Sequence, residues 1–205
     1  MLLRMRTKVT VVALLIAAAL PALAAASASR ELCVPGTDGD VCIGSSGADR
    51  IVATTGDDLV KSGDGNDTVH ALTGDDLVYG GDGRDILLGD EDGPGGTDRL
   101  YGGSGNDRIF GMAGKDDLYG DSGNDVVHGG DGVDRMYGGD GNDTLDDAPR
   151  HHADADSFSG GAGSDEIYSR DGNRDSVKCG PGQDVAKVDH RDKVADDCEQ
   201  VIRIG

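Results

Sequence analysis

From Gly44 to Lys187 an apolar side chain returns about every nine residues, always two places after an aspartate. The apolar series is Ile51, Val60, Val69, Val78, Leu87, Leu100, Ile109, Leu118, Val127, Met136, Leu145, Phe158, Ile167, Val177 and Ala186. Fifteen rows align on it, and the first five run without a break: GSSGADRIV, ATTGDDLVK, SGDGNDTVH, ALTGDDLVY and GGDGRDILL. Expansions interrupt the sixth row, in the Asp90 to Pro94 region, and the twelfth, around Asp147 to Ala155, and the row ending at Lys178 has ten residues. Aspartate fills the sixth place of every row and glycine the fourth place of thirteen.

A single apolar position between two others after each aspartate predicts a short strand whose middle side chain points inward. The Gly-rich half of each row predicts a turn, because glycine accepts the positive φ that a tight turn demands. One row is too small to bury its own apolar face, so the rows are expected to stack as a solenoid. With two rows per coil, stacked turns lie about eighteen residues apart, and the aspartates fall into two ladders. Asp49, Asp67, Asp85, Asp107, Asp125, Asp143, Asp165 and Asp184 line one edge; Asp58, Asp76, Asp98, Asp116, Asp134, Asp156 and Asp175 line the other.

Turn carbonyls and carboxylates offer only hard oxygen donors. Ca²⁺ takes about six to eight such oxygens at roughly 2.3–2.6 Å, which two stacked turns can supply and one cannot, whereas Mg²⁺ demands a tighter octahedron and keeps its waters. All fifteen aspartates are therefore candidate Ca²⁺ ligands, and eight turns on one edge with seven on the other leave gaps for at most about 13 ions. The edges differ in turn chemistry. Odd rows carry Gly65-Asn66-Asp67, Gly105-Asn106-Asp107, Gly123-Asn124-Asp125 and Gly141-Asn142-Asp143, while even rows put Thr54, Leu72 and Met112 where a second glycine belongs. Bulky residues resist that conformation, so the Asp107/Asp125/Asp143 edge is expected to bind more tightly than the Asp58/Asp76 edge.

GGSGNDRIF, GGDGVDRMY and GGDGNDTLD resemble the GGxGxDxUx nonapeptides of RTX (haemolysin-type) calcium-binding repeats. The resemblance covers about seven tenths of the chain and implies an all-β fold, a parallel β-roll with Ca²⁺ between successive turns on each edge. The ending CGPGQDVAKVDHRDKVADDCEQV further resembles the tails of small secreted calcium-binding proteins of high-GC bacteria. In such a roll about seven coils, at ~4.8 Å each, separate the first and last rows by ~33 Å, and bridged Cα atoms lie only ~4.4–6.8 Å apart. Cys33 is therefore expected to pair with Cys42, and Cys179 with Cys198, locking two end caps. The spacing Val194, Cys198, Val201 suggests a short helix over the C-terminal end.

Composition alone would read as disorder: 35 Gly, 39 acidic residues of which four are Glu, no Trp and two Phe in 205 residues. The phase of the repeat changes that reading, leaving disorder as the expected calcium-free state. A net charge of -20 opposes nucleic-acid binding, since a polyanion would be repelled. Arg4, Arg6 and Lys8 followed by the uncharged stretch Val9 to Ser29 have the layout of a secretory signal peptide. Its removal after Ala28 would take the charge from -20 to -23 and leave no membrane span. The expected organisation is signal peptide 1–28, N-terminal cap 29–43, calcium-binding roll 44–187 and C-terminal cap 188–205, in a secreted, extracellular protein.

Tyr79, Tyr101, Tyr119 and Tyr137 hold the ninth place of four successive even rows and should form an outward ladder ~4.8 Å apart. Self-stacking is the simplest role for it, and an extracellular glycan or protein partner the other. His70 and His128 share a phase but lie three coils apart, too far to bind one ion, and His151-His152 reads as a solvated loop. HExxH, GxSxG and phosphate-cradling signatures are missing, and no Glu closes an EF-hand loop. The expected function is calcium binding without catalysis. The alternative is an adhesion or structural module that uses Ca²⁺ only for rigidity.

Overall fold

A computed structural model describes residues 39–90, 95–147 and 154–204, together with the backbone of Ser29–Arg30 and Cys33–Val34. The proposed signal peptide and His151-His152 lie outside the described residues. Within them the chain is all-β, a solenoid of about eight turns with no helix.

The residue after each aspartate enters a strand, and the next side chain turns inward. Thr68–His70 shows the unit: Val69 is fully buried between two half-buried neighbours. Every apolar residue of the periodic series, from Ile51 to Ala186, is at most 1% exposed, and with Cys42, Ala53, Ala71, Cys179 and Val188 the series makes one core between two sheets. Odd-row strands such as Asp49–Val52, Thr68–His70, Ile86–Leu88 and Arg108–Ala113 build one parallel sheet. Even-row strands such as Leu59–Asp64, Leu77–Asp82, Arg99–Ser104 and Asp117–Ser122 build the other.

Pairing register confirms the two-row coil. Leu59 pairs with Leu77, eighteen residues on. Across the first expansion Leu77 pairs with Arg99, and across the second Arg135 pairs with Ser157, so each insertion adds four residues without moving a core position. The ten-residue row shifts the offset by one, with Ser157 opposite Ser176.

Both sheets run past the fifteen rows. Val41–Ile43 extends the second sheet at its start, and Cys33–Val34 turns back antiparallel to it with Cys33 opposite Cys42. The expected Cys33–Cys42 bridge falls on a side chain outside the described residues. Cys179 and Cys198 are bridged as expected, with Cα atoms 5.1 Å apart.

The expected C-terminal helix is a correction. Lys193–Val194 continues one sheet and Gln200–Arg203 the other. Val194 pairs with Val177 and is partly buried against the core, while Val201 takes the register of Ala186 but stays 40% exposed on the last coil. The last complete coil exposes two rows of backbone donors and acceptors, and two more strands satisfy them where a helix would not. Among the described residues no helix is long and apolar enough to cross a membrane.

The tyrosines form the expected ladder on the outer face of the second sheet. Ring centroids of Tyr79, Tyr101, Tyr119 and Tyr137 are 5.0, 4.6 and 4.8 Å apart in order, with planes within 11° of parallel. Each inner ring is covered on both faces by its neighbours, and the Lys61 ammonium lies 5.8 Å from the Tyr79 centroid.

Candidate metal centres

Both aspartate ladders are built by the backbone. On the odd-row edge the amide of Asp49 donates to Asp67 Oδ1 at 2.8 Å, Asp67 to Asp85 at 2.8 Å and Asp85 to Asp107 at 2.8 Å. Asp107 continues to Asp125 at 2.7 Å, Asp125 to Asp143 at 2.8 Å, and Asp143 to Asp165 and Asp165 to Asp184 at 2.9 Å each. The even-row edge repeats the pattern through Asp58, Asp76, Asp98, Asp116, Asp134, Asp156 and Asp175, at 2.7–2.9 Å. Each carboxylate is thus pinned through one oxygen to the coil before it.

The second oxygen has a different fate. Oδ2 of Asp76, Asp85, Asp98, Asp107, Asp116, Asp125, Asp134, Asp143, Asp165 and Asp184 is buried and has no hydrogen-bond partner. Where a glycine opens the row this oxygen faces it, in most cases together with the carbonyl one coil further on. A Cβ built on Gly102 would lie 2.5 Å from Asp107 Oδ2 and 2.7 Å from the Gly120 carbonyl oxygen. On the opposite edge a Cβ on Gly111 would lie 2.5 Å from Asp116 Oδ2 and 2.6 Å from the Gly129 oxygen. Carboxylate and carbonyl oxygens therefore converge beside the position that glycine leaves open in these rows. Two electron-rich oxygens with no donor between them call for a cation or a proton. An all-oxygen, glycine-lined cradle fits Ca²⁺.

Burial is the leading cause wherever a ladder aspartate has a raised pKa. It pushes Asp116 up to about 9, Asp98 to about 8 and Asp76 to about 7 on the even-row edge. On the odd-row edge Asp125 rises to about 7 and Asp85 and Asp143 to about 6. Repulsion between neighbouring aspartates adds to the rise, and the backbone hydrogen bond opposes it. Without a cation Asp116 and Asp98 keep their protons at neutral pH, while Asp85 and Asp143 release theirs as the pH passes about 6.

The even-row edge is thus the more strained electrostatically, which opposes the affinity order expected from turn residues alone. The turn residues themselves behave as their bulk suggests. Leu72 (φ 74°) and Met112 (φ 77°) are forced into the left-handed region, and on the odd-row edge so is Asp121 (φ 70°).

Three further features were not anticipated. Asp40 and Asp192 extend the even-row ladder: the Asp40 amide donates to Asp58 Oδ1, and the Asp175 amide to Asp192 Oδ1 at 3.1 Å. Glu199 extends the other, accepting from the Asp184 amide at 3.0 Å. Their signal was present, since Asp40-Val41-Cys42, Asp192-Lys193-Val194 and Glu199-Gln200-Val201 each set an acid two places before a residue in register with the core file, but the fourth-place glycine is missing. Fifth-place residues form an outer chain of the same kind, with Asn106 Oδ1 accepting from the Asn124 amide and Asn124 Oδ1 from the Asn142 amide, both at 2.7 Å. Finally, carboxylate oxygens of Asp147, Asp156 and Asp171 lie within 4.8 Å of one another on the even-row edge.

A family model described as RTX calcium-binding nonapeptide repeat (4 copies) matches residues 43–78, 62–94, 92–127, 116–145 and 152–174, more than half of the chain. No curated protein matches it.

Proposed function

Because the chain belongs to the RTX calcium-binding nonapeptide repeat family, we propose that it binds Ca²⁺ in the gaps between stacked turns on both edges and folds as it does so. The fifteen row aspartates are the anionic ligands and turn carbonyls complete the shell, and from Asp76 to Asp143 the oxygen offered is the buried Oδ2 that has no hydrogen-bond partner. The observation that carries this reading is the file of buried Oδ2 atoms without a partner. Calcium supplies there the positive charge that the protein lacks. The protein's own part is to hold each carboxylate in place through its Oδ1 bond and to keep the cradle open with glycine.

Up to about 13 ions would bring +26 against the -23 of the chain without its leader. The calcium-free chain repels itself and the loaded one is close to neutral, which is the physical reason for coupling binding to folding. Work outside the cell suits this chemistry, since Ca²⁺ is abundant there, and no catalytic role is assigned.

An adhesion module using the tyrosine face is the weaker reading. A sugar normally packs on an aromatic face, and in this ladder the inner rings have given both faces to each other.

Isothermal titration of the full chain is expected to show several Ca²⁺ bound per molecule, with far weaker uptake of Mg²⁺. Uptake of no Ca²⁺ would overturn the proposal.

A further inference from the structure

The first expansion enters the roll on the even-row edge and carries a carboxylate that the nonapeptide pattern does not contain. Asp90 lies two residues beyond the strand Ile86–Leu88 and is 1% exposed. Its Oδ2 accepts the Gly96 amide at 2.5 Å, and the Gly74 amide also donates to this carboxylate. Asp90 is therefore clamped between the turn of its own coil and the turn of the coil before. Its Oδ1 is buried and has no partner.

The surroundings are uniformly anionic. Asp90 raises the pKa of Asp76, Asp98 and Asp116, and Asp75 raises that of Asp90. No Lys or Arg figures among the charged groups that act on any of the four. Oδ2 of Asp76, Asp98 and Asp116 is itself buried and unpartnered. Gly89, next to Asp90, keeps the cradle open, since a Cβ there would collide with Asp98 Oδ2 and the Gly111 carbonyl. This gap therefore receives, besides its ladder aspartates, a fixed carboxylate whose second oxygen has no partner, as the position of Asp156 receives Asp147 and Asp171.

We propose that Asp90 is a Ca²⁺ ligand outside the repeat pattern, supplying its unpartnered Oδ1 to a cation held at this gap of the even-row edge. The inference rests on the calcium reading above and adds to it a specific site, formed by an insertion. More carboxylates around one Ca²⁺ tighten its binding, so this gap is expected to hold an ion although its row lacks a regular turn.

The test is Ca²⁺ titration of the full chain, unaltered and as Asp90→Asn, with Asp196→Asn, an exposed acid of the C-terminal end, as the control for a lost charge. Asp90→Asn is expected to bind one ion fewer per chain, and Asp196→Asn to match the unaltered chain. Equal stoichiometry and affinities in all three overturn the role of Asp90 while leaving the calcium reading intact. No uptake by the unaltered chain overturns both. Should Asp90→Asn fail to fold, anomalous diffraction from crystals of the unaltered chain grown in Ca²⁺ decides. An ion about 2.3–2.6 Å from an Asp90 oxygen supports the site, and its absence there overturns it.

Discussion

Acidification is expected to restore β structure to the calcium-free chain. In metal-free buffer, far-UV circular dichroism should show little strand at pH 9 and progressively more towards pH 5. The cause is the set of buried carboxylates with raised pKa values. Burial lifts Asp116 to about 9, Asp98 to about 8, Asp76, Asp125 and Asp175 to about 7, and Asp85, Asp134, Asp143 and Asp156 to about 6. In the unfolded chain the same groups titrate near 3.9.

Between these values the folded form holds protons that the unfolded form has released. The stabilisation is fully present below about pH 4 and is lost as the pH rises through the window from about 6 to 9. Calcium reverses the slope, because protons then compete with the ion for the same oxygens, and the loaded chain should lose stability as the pH falls. A calcium-free chain whose strand content is flat, or rises with pH, would show that these carboxylates are not buried as described.

Gly123→Val should be among the most damaging single substitutions in the roll. Gly123 has φ +133°, and an added Cβ would fall on the Gly105 carbonyl of the coil before it. The backbone conformation alone costs a side chain about 1–3 kcal/mol. The collision adds more, because relieving it separates the coils that the bond from the Asp107 amide to Asp125 Oδ1 holds at 2.7 Å. In saturating Ca²⁺ a loss of ~3 kcal/mol lowers Tm by roughly 6–12 °C for a chain of this size. Met112→Gly gives the opposite sign. Met112 already holds φ 77° and is 36% exposed, so glycine relieves strain at no cost to the core. A net gain of roughly 0.5–1 kcal/mol remains after the entropy of the added glycine. Equal melting temperatures for Gly123→Val and the unaltered chain would show that the close coil contact is not required.

Much of this architecture was legible because the repeat enforces it fifteen times. Leu87 and Leu100 keep the same inward place although an expansion lies between them, so phase survived where spacing did not. The two ladders followed from the same phase. The ends were harder to read, because a solenoid end is defined by what the last coil still needs. Val194 and Val201 are seven residues apart, a spacing that suits two helical turns as well as two strands in different sheets. Only the unpaired edge of the preceding coil selects the strands. Asp40, Asp192 and Glu199 escaped notice for a related reason, as their rows lack the glycine that announces a turn. Asp90 lay in an insertion, where no periodic rule applies, and its burial comes from amides of Gly74 and Gly96 that the fold alone brings together.

The central claim is that calcium completes the fold. Far-UV circular dichroism of the full chain at pH 7.5, recorded in excess chelator and again in about 5 mM Ca²⁺, tests it most directly. The account predicts a disordered spectrum in chelator that converts to β structure as Ca²⁺ is added. The same β spectrum in both conditions would contradict it.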